Sequence, residues 1–190
     1  MFVVCRNRVL AVDTRTHQID WDDRITLLDK AEAVWNKAIS QDGRTIYLYS
    51  DRGTLIKYDV RRRRFTKPIP PLPRQSTMMY RGALMSLSGN GTKLVIAQNI
   101  QATSGIHSSS QFRVFDTRDW HLMAQFSVPI PITSLTVDTN GKKLYSVIDR
   151  YSSANPHPND TFVEIDTEQG RVCAQHVRPG EHLADILFRE

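Results

Sequence analysis

The chain of 190 residues is 40% hydrophobic and 24% charged, a balance that suits a globular protein with one sizeable core. No apolar run approaches the roughly 20 residues of a membrane span, and the apolar stretch of the N-terminal MFVVCRNRVL is too short for a signal peptide. A single domain, cytoplasmic by default and without membrane contact, is therefore expected. The net charge is +5, and much of the excess is local: residues 61–64 are four consecutive arginines, with Lys67 and Arg74 beyond. The run lacks interleaved aromatic residues and any nucleic-acid-binding motif, so it reads as a solvated basic turn and not as a nucleic-acid contact.

In chain order, residues 1–6 and 9–13 read as strands two and three of a first unit that lacks its first strand, with a fourth strand near 17–21. Residues 25–37 are ambiguous. Leu27, Leu28, Ala31, Val34 and Trp35 match helical spacing, which predicts a short helix ahead of a strand ending near Ser40. A second unit spans about 35–69 and a third about 82–128. The fourth is the clearest: strands at 132–137 and 143–148 flank a turn at Asn140-Gly141, and strands at 162–165 and 171–177 flank a turn at 168–170. Residues 183–188 have the apolar character of one more first strand. Cys5 and Cys173 show no CxxC or Cys/His metal spacing and are expected to be buried free thiols.

Comparing the chain with itself organises these elements. Asp42-Gly43, Asn90-Gly91 and Asn140-Gly141 recur at separations of 48 and 50 residues, and Asp13, Asp59, Asp116 and Asp166 at separations of 46, 57 and 50. Two independent markers share one period. Around them, Ile46-Tyr47-Leu48-Tyr49, Leu94-Val95-Ile96-Ala97 and 144–148 are apolar on both alternating faces, as strands are when their sheet is covered on both sides. Lys57, Arg113 and Glu164 fall between the apolar positions of the third strands and are expected farther from the axis. The fold so predicted is all-β: a β-propeller of four-stranded antiparallel blades in one domain, 1–190. Its blade pieces lie at about 1–24, 35–69, 82–128, 132–178 and 182–190. Three blades are complete and the terminal ones partial. The favoured reading is a piece of a larger propeller, the alternative a four-bladed ring closed by exchange of the terminal strand.

At ISQDGRTIYLYSDRGTLIKYDV and LTVDTNGKKLYSVIDR…TFVEIDTEQGRVCAQ the chain resembles the YVTN-type propeller family, which groups with the amine dehydrogenase heavy-chain-like and lactonase-like propellers. The resemblance covers nearly the whole chain and implies the propeller fold. It departs from the WD-repeat pattern, having no Gly-His pair to open a blade, Trp-Asp only at Trp21-Asp22, and a longer spacing.

In a propeller the connections between strands two and three emerge on the same rim as those between blades. The long polar connections 67–80, 100–110 and 151–160 all belong to that class, and loops on a rigid scaffold carry binding function. Arg74, Tyr80, His107, Arg150, Tyr151, His157 and Asp160 are thus the candidate binding residues. A histidine with a carboxylate can do acid–base or metal chemistry, but neither His107 nor His157 has a partner at ligand spacing, and Ser/Asn/Pro-rich loops are also what an idle surface looks like. Pro156 and Pro158 stiffen their loop. The repeated aspartates read as turn caps, the run 68–73 as a rigid strap between blades, and Ser88-Gly89-Asn90-Gly91 as a hairpin turn. No P-loop, GxGxxG, GxSxG or HExxH motif occurs. The expectation is a non-catalytic scaffold, with no catalytic residue, metal or cofactor, that presents the loop-rich rim to a protein or peptide. A small-molecule ligand is a further possibility. The alternative is part of a lactonase-like or amine-dehydrogenase-like propeller enzyme.

Overall fold

Alternation of apolar runs with Asp/Asn-Gly turns becomes, in the computed structural model, a series of antiparallel sheets. The structure describes residues 1–5, 7–27, 30, 32–69, 78–102, 108–129, 131–148 and 161–177. Among them there is no helix, hence none long and apolar enough to cross a membrane. They fall into two compact units, Met1–Pro73 and Arg74–Glu190.

The first unit holds two sheets. β1 (Phe2–Cys5), β2 (Arg8–Val12) and β3 (Ile19–Arg24) form three strands in chain order, the piece expected to lack its first strand. β4 (Val34–Ile39), β5 (Thr45–Ser50), β6 (Leu55–Asp59) and β7 (Arg64–Phe65) form a four-stranded meander. Between the two sheets Val9, Ile25, Ile46, Leu48, Ile56 and Tyr58 make one buried cluster. The second unit repeats the plan with β8 (Met78–Leu87), β9 (Lys93–Ala102), β10 (Ser108–Asp116) and β11 (Leu122–Val128), then β12 (Thr136–Val137), β13 (Lys143–Ile148), β14 (Thr161–Asp166) and β15 (Arg171–Val177). Val95, Phe112, Val114, Ile132, Leu144, Val163 and Ile165 belong to its core. The central strands are apolar on both faces because both faces are covered: Ile46, Tyr47, Leu48 and Tyr49 are all buried, as are Leu94, Val95, Ile96 and Ala97.

One turn chemistry recurs at one end of the three four-stranded sheets. Gly43, Gly91 and Gly141 have φ of 67°, 71° and 69°, a region that costs an L side chain and suits glycine. Each donates its N–H to the carbonyl of Ser40, Ser88 or Asp138, and Asp42, Asn90 and Asp138 accept further turn N–H groups on their side chains. The repeated aspartates are turn caps, as expected: Asp13, Asp59, Asp116 and Asp166 accept the N–H of Arg15, Arg62, Arg118 and Glu168. Four residues after these caps the chain is left-handed every time, at His17 (φ 58°), Arg63 (52°), Trp120 (67°) and Gly170 (62°). The two turns of a sheet are then stapled to each other. Val60, Thr117 and Thr167 donate backbone N–H to Arg44, Thr92 and Lys142, and the Thr117 and Thr167 hydroxyls donate to the carbonyls of Gly91 and Gly141 at 2.7 and 2.8 Å.

Several expectations are corrected. The helical spacing at 25–37 does not make a helix: Val34 and Trp35 lie in β4, held by its ladder to β5, while residues 25–27 are coil. Cross-strand pairing overrides a periodicity carried by a few residues. Cys5 and Cys173 are free but exposed: Cys5 ends β1 and Cys173 lies in β15, each an edge strand of its sheet. Arg113 is buried, 5% exposed, in contrast to the half-buried Lys57 and Glu164 at the equivalent places. The fourth strand of the first sheet starts later than 17, at Ile19, since His17 is taken up by the left-handed turn. The strand expected at 132–137 is regular only at Thr136–Val137; upstream, Thr133 N–H bonds the Val147 carbonyl, and the Ser134 hydroxyl accepts Val147 N–H in place of a ladder bond. The terminal segment 183–188, on which ring closure turned, lies outside the described residues.

Candidate functional site

A meander fixes which connections share an end of its sheet. The tight Gly and Asp turns join strands one to two and three to four; the connections between strands two and three, and those entering and leaving the sheet, lie at the opposite end. Of the candidate binding residues, Arg74, His107, Arg150, Tyr151, His157 and Asp160 lie outside the described residues. Tyr80 is placed by its backbone in β8, opposite Ile100 of β9.

The expected loop at 100–110 is largely sheet. β9 and β10 stay paired out to Gln101↔Ser108, and β8 follows β9 out to Met78↔Ala102. Thus a three-stranded arm extends the loop-bearing end of this sheet, and only 103–107 remain to connect it. Among the described residues its outer strand has no partner at the tip, because β11 pairs with β10 no farther than Ser110↔Val128. The root is clamped by Asn99, whose side-chain amide donates to the Ile132 carbonyl at 2.8 Å and accepts Ile132 N–H at 3.2 Å, as a backbone unit would. The Ser110 hydroxyl adds a bond of 2.7 Å to the same amide oxygen. Ser110 and Ile132 are buried, so the arm grows from a rigid base. Sequence reading missed this arm because its polar residues, including three consecutive serines at 108–110, carry loop composition.

In the first unit the same class of connection builds a cavity. Asn7 from the β1–β2 connection, Arg24 at the end of β3, and Ile25, Leu27, Lys30 and Glu32 from the β3–β4 connection line a space of about 460 Å³. Glu32 is 5% exposed. Its Oε1 accepts the hydroxyl of Thr54, from the β5–β6 connection, at 3.0 Å, while its Oε2 is buried and has no hydrogen-bond partner among the described residues. The adjoining backbone is fixed by Asp51, which accepts Ala33 N–H on its carboxylate and donates its own N–H to the Ala33 carbonyl. The sequence signal for Glu32 was a lone carboxylate between alanines, too common to single out.

The arginine run is not uniform. Arg61, Arg62 and Arg64 are exposed, with Arg62 3.7 Å from Asp59. Arg63 instead reaches the neighbouring sheet of its unit: its guanidinium donates to both oxygens of Asp23, at 3.1 and 2.7 Å, and lies 5.1 Å from the centroid of Trp21. Asp23 also accepts the Tyr58 hydroxyl at 2.5 Å. The Arg63 bond holds the Asp23 carboxyl below its ordinary range, and burial together with Asp23 pushes the Tyr58 phenol up. This network joins sheets and offers no reactive group. Among the described residues no group of three or more His, Cys, Asp or Glu is placed to hold a metal.

No family model and no curated protein matches the chain. Solved structures do match in fold. The Dos1 propeller superposes with a TM-score of 0.64 at 15% identity over 95% of this chain and 45% of its own. Hydrazine synthase of Kuenenia stuttgartiensis gives 0.59 at 18% over 91% and 44%, and the RRP9 WD40 repeats give 0.54 at 12% over 92% and 43%. With its all-β sheets in meander order, the chain has the β-propeller fold. It spans less than half the length of each of these three chains.

Proposed function

We propose that this chain is a non-catalytic propeller module that binds a protein or peptide at the loop-bearing ends of its sheets, with Arg74, Tyr80, His107, Arg150, Tyr151, His157 and Asp160 among the contact residues. Fold alone does not choose the function, since propellers host both enzymes and docking modules. The single observation that carries the reading is the β8–β9–β10 arm. Past Ser110↔Val128 this sheet continues as three paired strands with no fourth among the described residues, and its root is held by the Asn99–Ile132 clamp. The tip of β10, Ser108–Ser109, has no outer strand beside it among the described residues, and such a sheet edge is where an added strand pairs. Within the propellers, the repeat grammar at 39–60 and 135–175 supports the YVTN type.

Replacing residues 101–108 by Asn-Gly, so that Ile100 and Ser109 close a two-residue hairpin, tests the reading while sparing Asn99 and Ser110. Affinity capture of the full-length and arm-shortened proteins, matched for thermal melting, should return a partner set that shrinks on shortening. An identical set from both proteins removes the arm as the contact.

A further inference from the structure

We infer that the cavity holding Glu32 is a binding site for a small zwitterionic ligand of the α-amino-acid type, with an ammonium beside a carboxylate. The inference goes beyond the docking reading and stands without it, because the cavity belongs to the first unit and the arm to the second. Glu32 carries it. A buried carboxylate oxygen without a donor is costly, and in folded proteins such atoms nearly always have a partner. Here one oxygen is satisfied by Thr54 and the other, Oε2, has none among the described residues, while Glu32 itself lines an open cavity. A donor supplied by a bound molecule completes that oxygen, and a positively charged donor also balances its charge.

The rest of the wall narrows the ligand. Arg24 and Lys30, both exposed, stand in the same lining, so a simple cation that suits Glu32 meets two like charges, and a simple anion that suits Arg24 and Lys30 meets Glu32. A molecule bearing both signs meets a partner for each. Buried Ile25 and half-buried Leu27 add an apolar surface for a side chain, and the volume of about 460 Å³ lies within the range of small-molecule pockets. The carboxylate is pre-oriented: the Thr54 hydroxyl fixes one oxygen, and the two bonds between Ala33 and Asp51, one to the Asp51 carboxylate and one from its N–H, fix the chain beside it.

Isothermal titration of the full chain with individual L-amino acids, up to about 10 mM, tests this directly. The expected result is saturable one-to-one binding of at least one of them, weakened about tenfold or more by Glu32→Gln, which keeps an acceptor for Thr54 but replaces the bare oxygen with an amide donor. The N-acetyl derivative and the methyl ester of the same amino acid, each lacking one charge, should bind about tenfold more weakly as well. Should Glu32→Gln fail to fold, the double variant Arg24→Ala with Lys30→Ala, at exposed positions, must weaken binding instead. Absence of saturable binding to the folded wild type, or affinity unchanged in a folded Glu32→Gln and in the double variant, overturns the inference.

Discussion

The sheets β4–β7 and β8–β11 are built on the same grammar yet differ at one end only. At the turn end they are built alike: Gly43 and Gly91 share φ and the N–H bond to a serine carbonyl, Asp59 and Asp116 each accept a turn N–H, from Arg62 and from Arg118, and Val60 and Thr117 donate the same backbone staple. At the loop end β5 and β6 stop after 6 and 5 residues, whereas β9 and β10 run to 10 and 9. The fourth strands differ too, β7 having 2 residues and β11 having 7. β7 ends at Phe65, with Thr66 N–H still bonding the Lys57 carbonyl; Pro68 beyond it has no N–H for the ladder, and pairing returns at the Leu55↔Ile69 bridge. The lesson is where a repeat tolerates change. Turn ends need particular φ angles and acceptors, so few residues fit; loop ends need only enough backbone pairing, so length is free to vary there.

The largest test of that equivalence uses the glycines. An alanine at Gly43 or Gly91 has open space around its Cβ and meets only the left-handed backbone, so each should cost about 1–2 kcal/mol, and the two should agree. At Gly170 the added Cβ would lie 2.7 Å from Cβ and 2.9 Å from Cγ of Phe126, which packs on the core of the second unit. Gly170→Ala should therefore cost about 2–4 kcal/mol by urea denaturation, strain and overpacking together. Unequal costs at Gly43 and Gly91 would break the claim that the turn ends are alike.

Next comes the contact that the β4–β7 sheet makes through Arg63. Asp23→Ala leaves the Tyr58 hydroxyl, on a fully buried side chain, without its acceptor and should cost about 1–3 kcal/mol. Tyr58→Phe in the Asp23→Ala background should recover part of that loss, a comparison that separates the orphaned hydroxyl from the broken ion pair. The carboxylates also set an acid limit. Asp116, hydrogen-bonded by the Arg118 guanidinium and by its backbone N–H, is lowered from 3.8 to about 2, and Asp23 is lowered chiefly by Arg63. A depressed folded value means the contribution is whole above the unfolded value near 4 and is lost as pH falls toward 2. Stability against urea should decline over that interval, and Asp116→Asn should flatten the decline.

How much of this was legible depended on whether a physical requirement selects one residue type. Gly43, Gly91 and Gly141 showed the hairpins because those positions favour glycine, and the aspartate caps showed because the geometry favours a short acceptor. The left-handed position four residues after each cap did not show: His17, Arg63, Trp120 and Gly170 all fill it, so no identity recurs. The threonines after Asp116 and Asp166 were visible as a repeat, but their staple to the first turn was not, because it joins residues 26 apart. That the long connections share one end within each sheet followed from topology alone. Its extended arm and the Glu32 cavity were hidden, because serine and asparagine read as loop and because a single carboxylate gains meaning only from burial.

The smallest expected effect separates residues that the sequence presents as equals. Arg61, Arg62, Arg63 and Arg64 are one basic run by composition, yet of the four it is the Arg63 guanidinium that forks onto a carboxylate of the adjoining sheet with two bonds. Exposed ion pairs such as Arg62–Asp59 contribute little, so Arg61→Ala and Arg62→Ala should each shift stability by no more than about 0.5 kcal/mol. Arg63→Ala should lower the melting temperature more than either, by removing the fork to Asp23 and the stacking over Trp21 together. If the three alanine variants melt alike, the run is a solvated turn throughout and the β4–β7 sheet gains nothing from it; a selective loss at Arg63 makes its position, left-handed and four residues past the cap, the point from which this turn reaches its neighbour.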